Sequence, residues 1–336
     1  MIYPKFIQKN DTIGITAPSG GILDDVDIIR IENSKNNFER LGYNILETED
    51  VKNKDIFCQS DKEENQAKQL NYLFKNKDVK AIICTAGGEF MCKIMPYIDF
   101  ENIQKNPKWF QGYSDPTWLT YVITTKMDIA TIYSYNFKAF CMDYLHSSLK
   151  NNIEILSGNI ILQNSFEKFE GEYVKNIVGN EEFSLTTDVC WKNLNGEEKI
   201  ELKGRIIGGC LDILLEIFGT KYDFTKNFIE KYSNDGIIWY FDNCELSYYE
   251  VIRTLHKFKD NGYFKNTKGI IFGRNILKDN KISFEDALKN ILGDTHIPVI
   301  FDIDIGHTSP KLTIINGSIA HIVSQNGKGK ISFNLV

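Results

Sequence analysis

The chain has 336 residues, 42% apolar and 25% charged, with 39 Lys+Arg against 45 Asp+Glu. That length suggests two domains rather than one core, and the composition is that of a globular protein. A formal net charge of −6 gives no basic face for nucleic acid, and no run of about 18 apolar residues offers a membrane span. The opening "MIYPKFIQKNDTIGITAPSGG" lacks the apolar centre of a secretory signal. Seven cysteines (58, 84, 92, 141, 190, 210 and 244) form no CxxC pair, which points to a reducing compartment and a cytoplasmic protein. The five histidines show no HxxxH spacing, so neither a dedicated metal site nor a cofactor is expected.

In chain order, "TIGITAPSGG" reads as a buried strand running into a Gly-rich turn, and "DVDIIRIENSKNNFERLGYNI" as a helix ending at Gly42 and leading into a strand. "KEENQAKQLNYLFKN" is an amphipathic helix with Leu70, Leu73 and Phe74 on one face. "VKAIICTAGG" is a buried strand closing on Gly87 and Gly88, "FQGYS" the next strand, "PTWLTYVITTKM" the next helix, and "IATIYSYNF" a further strand. Strands alternating with helices over residues 1–150 predict an α/β domain: a doubly wound parallel sheet, with ligands bound beyond the carboxyl ends of its strands. Residues 151–200 are polar, with short strand-like pieces, and read as a crossover. A second domain, 201–336, begins with "GRIIGGCLDILLEIFGT", a strand, a Gly-Gly turn and a helix. The strand "GIIWYFDN", the helix "SYYEVIRTLHKFKDNG", and strands in "KGIIFGR", "VIFDIDIGH" and "LTIINGSIAHIV" follow.

The chemistry centres on "WFQGYSDPTWL". Ser114 lies between a strand and a helix, in part of a nucleophile-elbow pattern with Pro116 where a glycine would complete it. On these residues alone, Ser114 or Asp115 as a plain N-cap of the helix is the favoured alternative. A serine nucleophile needs a base. His307 follows a glycine at a strand end, where scaffolds present catalytic groups, and a surface-loop histidine is the alternative. An orienting acid is offered by Asp242, directly after the apolar run "GIIWYF", with Glu245 three residues later as the reserve. The Gly87–Gly88 turn would let backbone N–H groups face a substrate, or is an ordinary turn. No GxGxxG or GxxxxGK[ST] fingerprint is present.

Together "IGITAPSG", "AGGEF", "NPKWFQGYSDPTWL", "GRIIGGCLDILLEIFGT", "WYFDNCELSYYEVIRTL", "KGIIFGR" and "IGHT" resemble the LD-carboxypeptidase / microcin C immunity family of serine peptidases, on the microcin-immunity side. The resemblance implies a flavodoxin-like N-terminal domain and a smaller β-rich C-terminal one, in a cytoplasmic homodimer with the active site between them. It implies Ser114 as nucleophile, His307 as base, and Asp242 as the acid where the family usually has Glu. The N–H groups of Gly88 and Asp115 would form the oxyanion hole, and Gly87 would line the substrate site. No cofactor, membrane or nucleic acid is implied. The substrate would be a murein L,D-peptide or a microcin-like peptidyl nucleotide, and a non-catalytic binder on the same fold is the alternative. "TAGGEF" and "YSYNF" depart from the murein-type pattern. Trp191, in polar "DVCWKNLNGEEK", is expected to border the cleft and offer a base-stacking face.

Overall fold

The computed structural model describes residues 1–22, 24–172, 177–277 and 281–336. Its first half runs β1 (Thr12–Thr16), α1 (Asp25–Arg40), β2 (Asn44–Glu47), α2 (Glu63–Lys75), β3 (Val79–Cys84), α3 (Met91–Ile94), α4 (Phe100–Lys105), β4 (Trp109–Gln111), α5 (Thr117–Met127), β5 (Thr131–Tyr133) and α6 (Ser147–Leu156). Four short strands follow: β6 (Gln163–Asn164), β7 (Lys168–Phe169), β8 (Thr187–Asp188) and β9 (Lys192–Asn193). The second half runs β10 (Lys199–Cys210), α7 (Leu211–Ile217), α8 (Thr225–Lys231), β11 (Ile237–Asp242), α9 (Tyr248–Asp260), β12 (Thr267–Gly273), α10 (Phe284–Leu292), β13 (Val299–Ile303), β14 (Ile314–Asn316), β15 (Ile319–Gln325) and β16 (Lys328–Asn334).

The N-terminal sheet has the order β14-β5-β4-β3-β1-β2. Its five N-terminal strands are parallel, in the doubly wound arrangement that alternating strand and helix signals predict. The second sheet, β6-β16-β15-β10-β11-β12-β13-β9, has a parallel centre flanked by antiparallel strands. The 151–200 segment contributes to both edges of that sheet, through β6 and β9. Conversely, β14 leaves the C-terminal third and adds antiparallel to β5, pairing Ile315 with Ile132.

Two elements differ from the sequence expectation. Gly208 and Gly209 do not form a turn: β10 continues through them to Cys210 and α7 starts at once. A Cβ at Gly208 would lie 1.8 Å from the Tyr240 carbonyl oxygen, so the glycine answers a close neighbouring strand. The N-terminal half of the supposed crossover is also partly helical, since α6 extends to Leu156.

Helix α5 explains how the halves are joined. Every residue from Thr117 to Thr125 is buried, as expected of a helix enclosed on all sides. Its Trp118, Leu119 and Val122 belong to a cluster that includes Phe110 from the first sheet and Leu211, Leu214, Trp239 and Phe241 from the second half. On the other side, Ile13, Ile83 and Tyr133 share a cluster with Ile238, Tyr240 and Ile271. Among the described residues no helix is long and apolar enough to cross a membrane. Because β14 ties the halves, Ile315→Ala should lower stability by about 2–5 kcal/mol in urea denaturation, while the exposed Lys226→Ala stays within about 0.5 kcal/mol. Equal midpoints for the two variants would show that the crossing strand adds nothing.

Candidate active site

Three chain turns meet at the carboxyl ends of the parallel strands. After β4, Ser114 adopts φ 69°, the left-handed region that non-glycine residues seldom occupy. Its carbonyl accepts the Thr117 N–H at 2.8 Å, and α5 starts there with no side-chain cap. Ser114 therefore occupies a sharp strand-to-helix turn rather than an N-cap. The Gly87 turn lies against it: a Cβ on Gly87 would sit 3.2 Å from Ser114 Oγ. The N–H groups of Gly88 and Asp115 make no hydrogen bond among the described residues. The Asp115 side chain points the other way, buried, accepting from the Ser19 hydroxyl and, at 2.8 Å, from the Met91 N–H.

Asp242 ends β11 and is fully buried. His307 Nδ1 lies 2.7 Å from its Oδ2, and the Tyr133 hydroxyl donates to the same oxygen at 2.6 Å. The Nδ1–Oδ2 contact is a close ion-pair distance without regular hydrogen-bond geometry, and Nε2 has no partner among the described residues. Gly306 has φ 93°, and a Cβ there would fall 2.0 Å from Asp242 Oδ1, so only glycine lets the loop close on the carboxylate. Tyr133 and Tyr113 link this pair to the elbow. The Tyr133 oxygen is 3.5 Å from the Ser114 backbone nitrogen, and the Tyr113 ring meets the imidazole edge-on with centroids 5.0 Å apart. The His307 loop is held by Arg274, which donates to Thr308 Oγ1 at 2.9 Å, to the Pro310 carbonyl at 3.2 Å and to Asp304 at 2.6 Å.

Burial raises the Asp242 pKa, but the charge and hydrogen bond of His307, the Tyr133 hydroxyl and the Lys311 ammonium outweigh it and hold the carboxyl below its ordinary value. Sequence reasoning passed over Lys311. It is 2% exposed, with Nζ 3.5 Å from the Tyr113 ring centroid. Burial lowers its pKa to about 7, against the pull of Asp242 and Glu170. A lysine inside the apolar stretch "PKLTII" was the signal available. Tyr133, in "IATIYSYNF", carried none beyond its place at a strand end.

Glu245, the reserve acid, is exposed and does not meet the imidazole. Asp212, in the first turn of α7, accepts the N–H groups of Cys244, Glu245 and Leu246 and so turns the loop after β11 outward. The expectation for Trp191 needs correction. It is 3% exposed, not a face of the cleft. Its indole N–H donates to Asp304 at 2.7 Å, and its ring fills the space a side chain at Gly329 would take. The polar flanks are exposed, while the indole finds a buried acceptor far along the chain.

A doubly wound sheet joined to a mixed one, with a strained serine turn near a buried Asp–His pair, is the α/β architecture on which this site is built. The chain belongs to the LD-carboxypeptidase family: the N-terminal domain of that family matches residues 13–134 and its C-terminal domain residues 203–322. The chain is 24% identical over 323 residues to a probable murein peptide carboxypeptidase of Bacillus subtilis (strain 168), covering 94% of this chain and 90% of that one. It is 28% identical over 288 residues to the microcin C7 self-immunity protein MccF of Escherichia coli, covering 82% and 80%. In fold it is similar to an MccF-like protein from Bacillus anthracis, with TM-score 0.84, 24% identity and complete coverage of both chains. It is also similar in fold to MccF in complex with aspartyl sulfamoyl adenosine, with TM-score 0.80, 22% identity and coverage of 100% and 99%.

Two expected outcomes follow from this geometry. Burial raises the Asp115 pKa to about 6, against the hydrogen bonds from Ser19 and Met91. Between the unfolded value near 4 and about 6, the folded chain holds the extra proton, so this group's contribution falls as pH rises. Asp115→Asn should flatten the loss of stability between pH 4 and pH 7 by up to about 3 kcal/mol, measured by urea unfolding at both pH values. Superimposable pH slopes for the two proteins would refute the assignment. Trp191→Phe keeps the packing but leaves Asp304 short of a donor, and should destabilise by about 1–3 kcal/mol. A Trp191 that bordered the cleft would instead leave stability unchanged.

Proposed function

We propose that the protein is a cofactor-free serine hydrolase that cuts an amide bond beside a carboxyl end. Family membership supports peptide-bond hydrolysis. The observation that carries the finer reading is the Tyr133 hydroxyl, which touches Asp242 of the Asp242–His307 pair and approaches the backbone nitrogen of Ser114 in its strained turn. In this reading Asp242 holds His307 by Nδ1, which leaves Nε2 to take the Ser114 proton. Ser114 Oγ attacks the carbonyl carbon, and the N–H groups of Gly88 and Asp115 receive the developing oxyanion. His307 then returns the proton to the leaving amine, and water, deprotonated by the same imidazole, releases the acyl group.

For substrate, a murein peptide cut at its L,D bond comes first. The buried Trp191 removes the platform on which base stacking would have rested. The exposed Glu89, next to Gly88, has its pKa raised by partial burial and by Glu245, Glu216 and Asp212, so this rim is acidic and suits a substrate ammonium. The second reading, a peptidyl nucleotide, is favoured by the fold's likeness to MccF in its sulfamoyl nucleoside complex. A homodimer in the cytoplasm is the proposed setting.

A serine-directed fluorophosphonate should label Ser114. Labelling should vanish in Ser114→Ala and His307→Ala, and Asp242→Asn should lower turnover by about 10³–10⁴-fold. Turnover would be measured on murein tetrapeptides and aminoacyl sulfamoyl adenosines in parallel. A folded wild-type protein that is neither labelled nor active on either class would be a binding protein on a peptidase fold.

A further inference from the structure

Cys210 is a buried thiol for which the proposed reaction has no use. It ends β10, two residues before Asp212, and its register partner on β11 is Asp242 itself. The strand pairing therefore sets a sulfur beside the carboxylate that holds His307. One ligand-capable atom from each of Cys210, Asp242 and His307 lies within 4.8 Å of the other two. Cys210 is 2% exposed and Asp242 is fully buried. Asp242 Oδ1 and both ring nitrogens of His307 have no hydrogen-bond partner of regular geometry among the described residues, although Nδ1 lies close to Asp242 Oδ2.

We propose that Cys210, Asp242 and His307 form an inhibitory zinc site. A thiolate, an imidazole nitrogen and a carboxylate oxygen are a donor set zinc accepts, with the fourth tetrahedral position left for water. Charge favours it. A thiolate and a carboxylate neutralise the dication, so the buried centre has no net charge and escapes most of the desolvation penalty of an unpaired ion. Zn–S near 2.3 Å and Zn–N or Zn–O near 2.0 Å place tetrahedral ligand atoms about 3.3–3.6 Å apart. The Asp242–His307 contact of 2.7 Å must open by under about one ångström, and the sulfur must approach by about as much.

On binding, the Cys210 S–H bond breaks, the sulfur keeps the electron pair and forms the Zn–S bond, and the proton leaves to solvent. The thiol gives up its hydrogen bond to Asp212 Oδ2, now 3.3 Å long. Metal then occupies the imidazole and carboxylate that the proposed reaction requires, and the serine loses its base. No oxidant or reductant is involved. The inference shares its residues with the proposed function, but metal binding is measurable without any substrate.

The test uses the full chain freed of metal by chelation. Cobalt(II) should produce a thiolate-to-metal charge-transfer band in the near ultraviolet and visible bands of tetrahedral intensity, both displaced by zinc. Loss of a partner outside the ligand shell weakens zinc binding by about 10–100-fold, so Cys210→Ser should weaken it by at least about tenfold. The same variant should lack the charge-transfer band. Zinc should slow fluorophosphonate labelling of Ser114 in the wild type, a chelator should restore it, and Cys210→Ser should label at the metal-free wild-type rate with zinc present. Cys210→Ala provides the same comparison if the serine variant fails to fold. An unchanged band or zinc affinity in the Cys210 variants overturns the site, as does equal zinc sensitivity of their labelling. If the wild type takes no label even without metal, the proposed function fails, while the cobalt spectrum still decides the zinc site.

Discussion

A fully buried carboxylate at the junction of two sheets is the constraint on which the rest of this structure depends. Asp242 ends a strand whose six residues are all buried, so its charge has no water to fall back on. Leaving such a charge unpaired costs about 3–5 kcal/mol. Its partners come from different parts of the chain: Tyr133 from the end of β5 in the first sheet, and His307 from the loop after β13 in the second. Satisfying Asp242 thus requires both sheets to be assembled and in contact. The same requirement brings Ser114, between β4 and α5, to the place where those partners meet.

The loop that carries His307 is fixed from both ends. Upstream, Asp304 is buried and accepts from Arg274 and Trp191, and Arg274 reaches on to Thr308 and Pro310. Downstream, the Lys311 N–H donates to the Tyr135 hydroxyl at 2.8 Å, the Thr313 hydroxyl meets Ser134 and Asn152, and β14 then pairs with β5. The loop is the passage of the chain from one sheet to the other. Trp191 belongs to this clamp and so acts on the site through the position of the loop.

How much of this was legible in the sequence follows from the range of the interactions. The alternation of strands and helices is local and was readable, as was the Ser114 turn, because Gly112, Pro116 and the flanking apolar runs are all within a few residues of it. Asp242 stood out because an acid directly after a buried strand has few innocuous places to go. What could not be read depends on partners far along the chain. Gly208 looked like turn punctuation, but the Tyr240 carbonyl beside it makes it a packing glycine. Trp191 looked exposed from its neighbours, although its acceptor is 113 positions away. Lys311 was hidden because a lysine is ordinarily a surface residue, and the groups that accommodate a buried one, the Tyr113 and Tyr135 rings and the charges of Asp242 and Glu170, lie far from it in sequence.

The double crossing of the chain also limits how the site can move. A hinge that separated the sheets would have to break β14 from β5, pull α5 from a core shared by both halves, and strip Asp242 of Tyr133. Each of those losses is several kcal/mol or comparable to it, against total stabilities of about 5–15 kcal/mol for ordinary domains. Opening of the cleft therefore falls to the loops around it: the Gly87–Gly88 turn and the segment after Asp242 that Asp212 anchors. In the proposed reaction, a serine, an imidazole and two amides carried by such a frame would be positioned before substrate arrives. Preorganisation of that kind, rather than a cofactor, is what the proposed reaction requires.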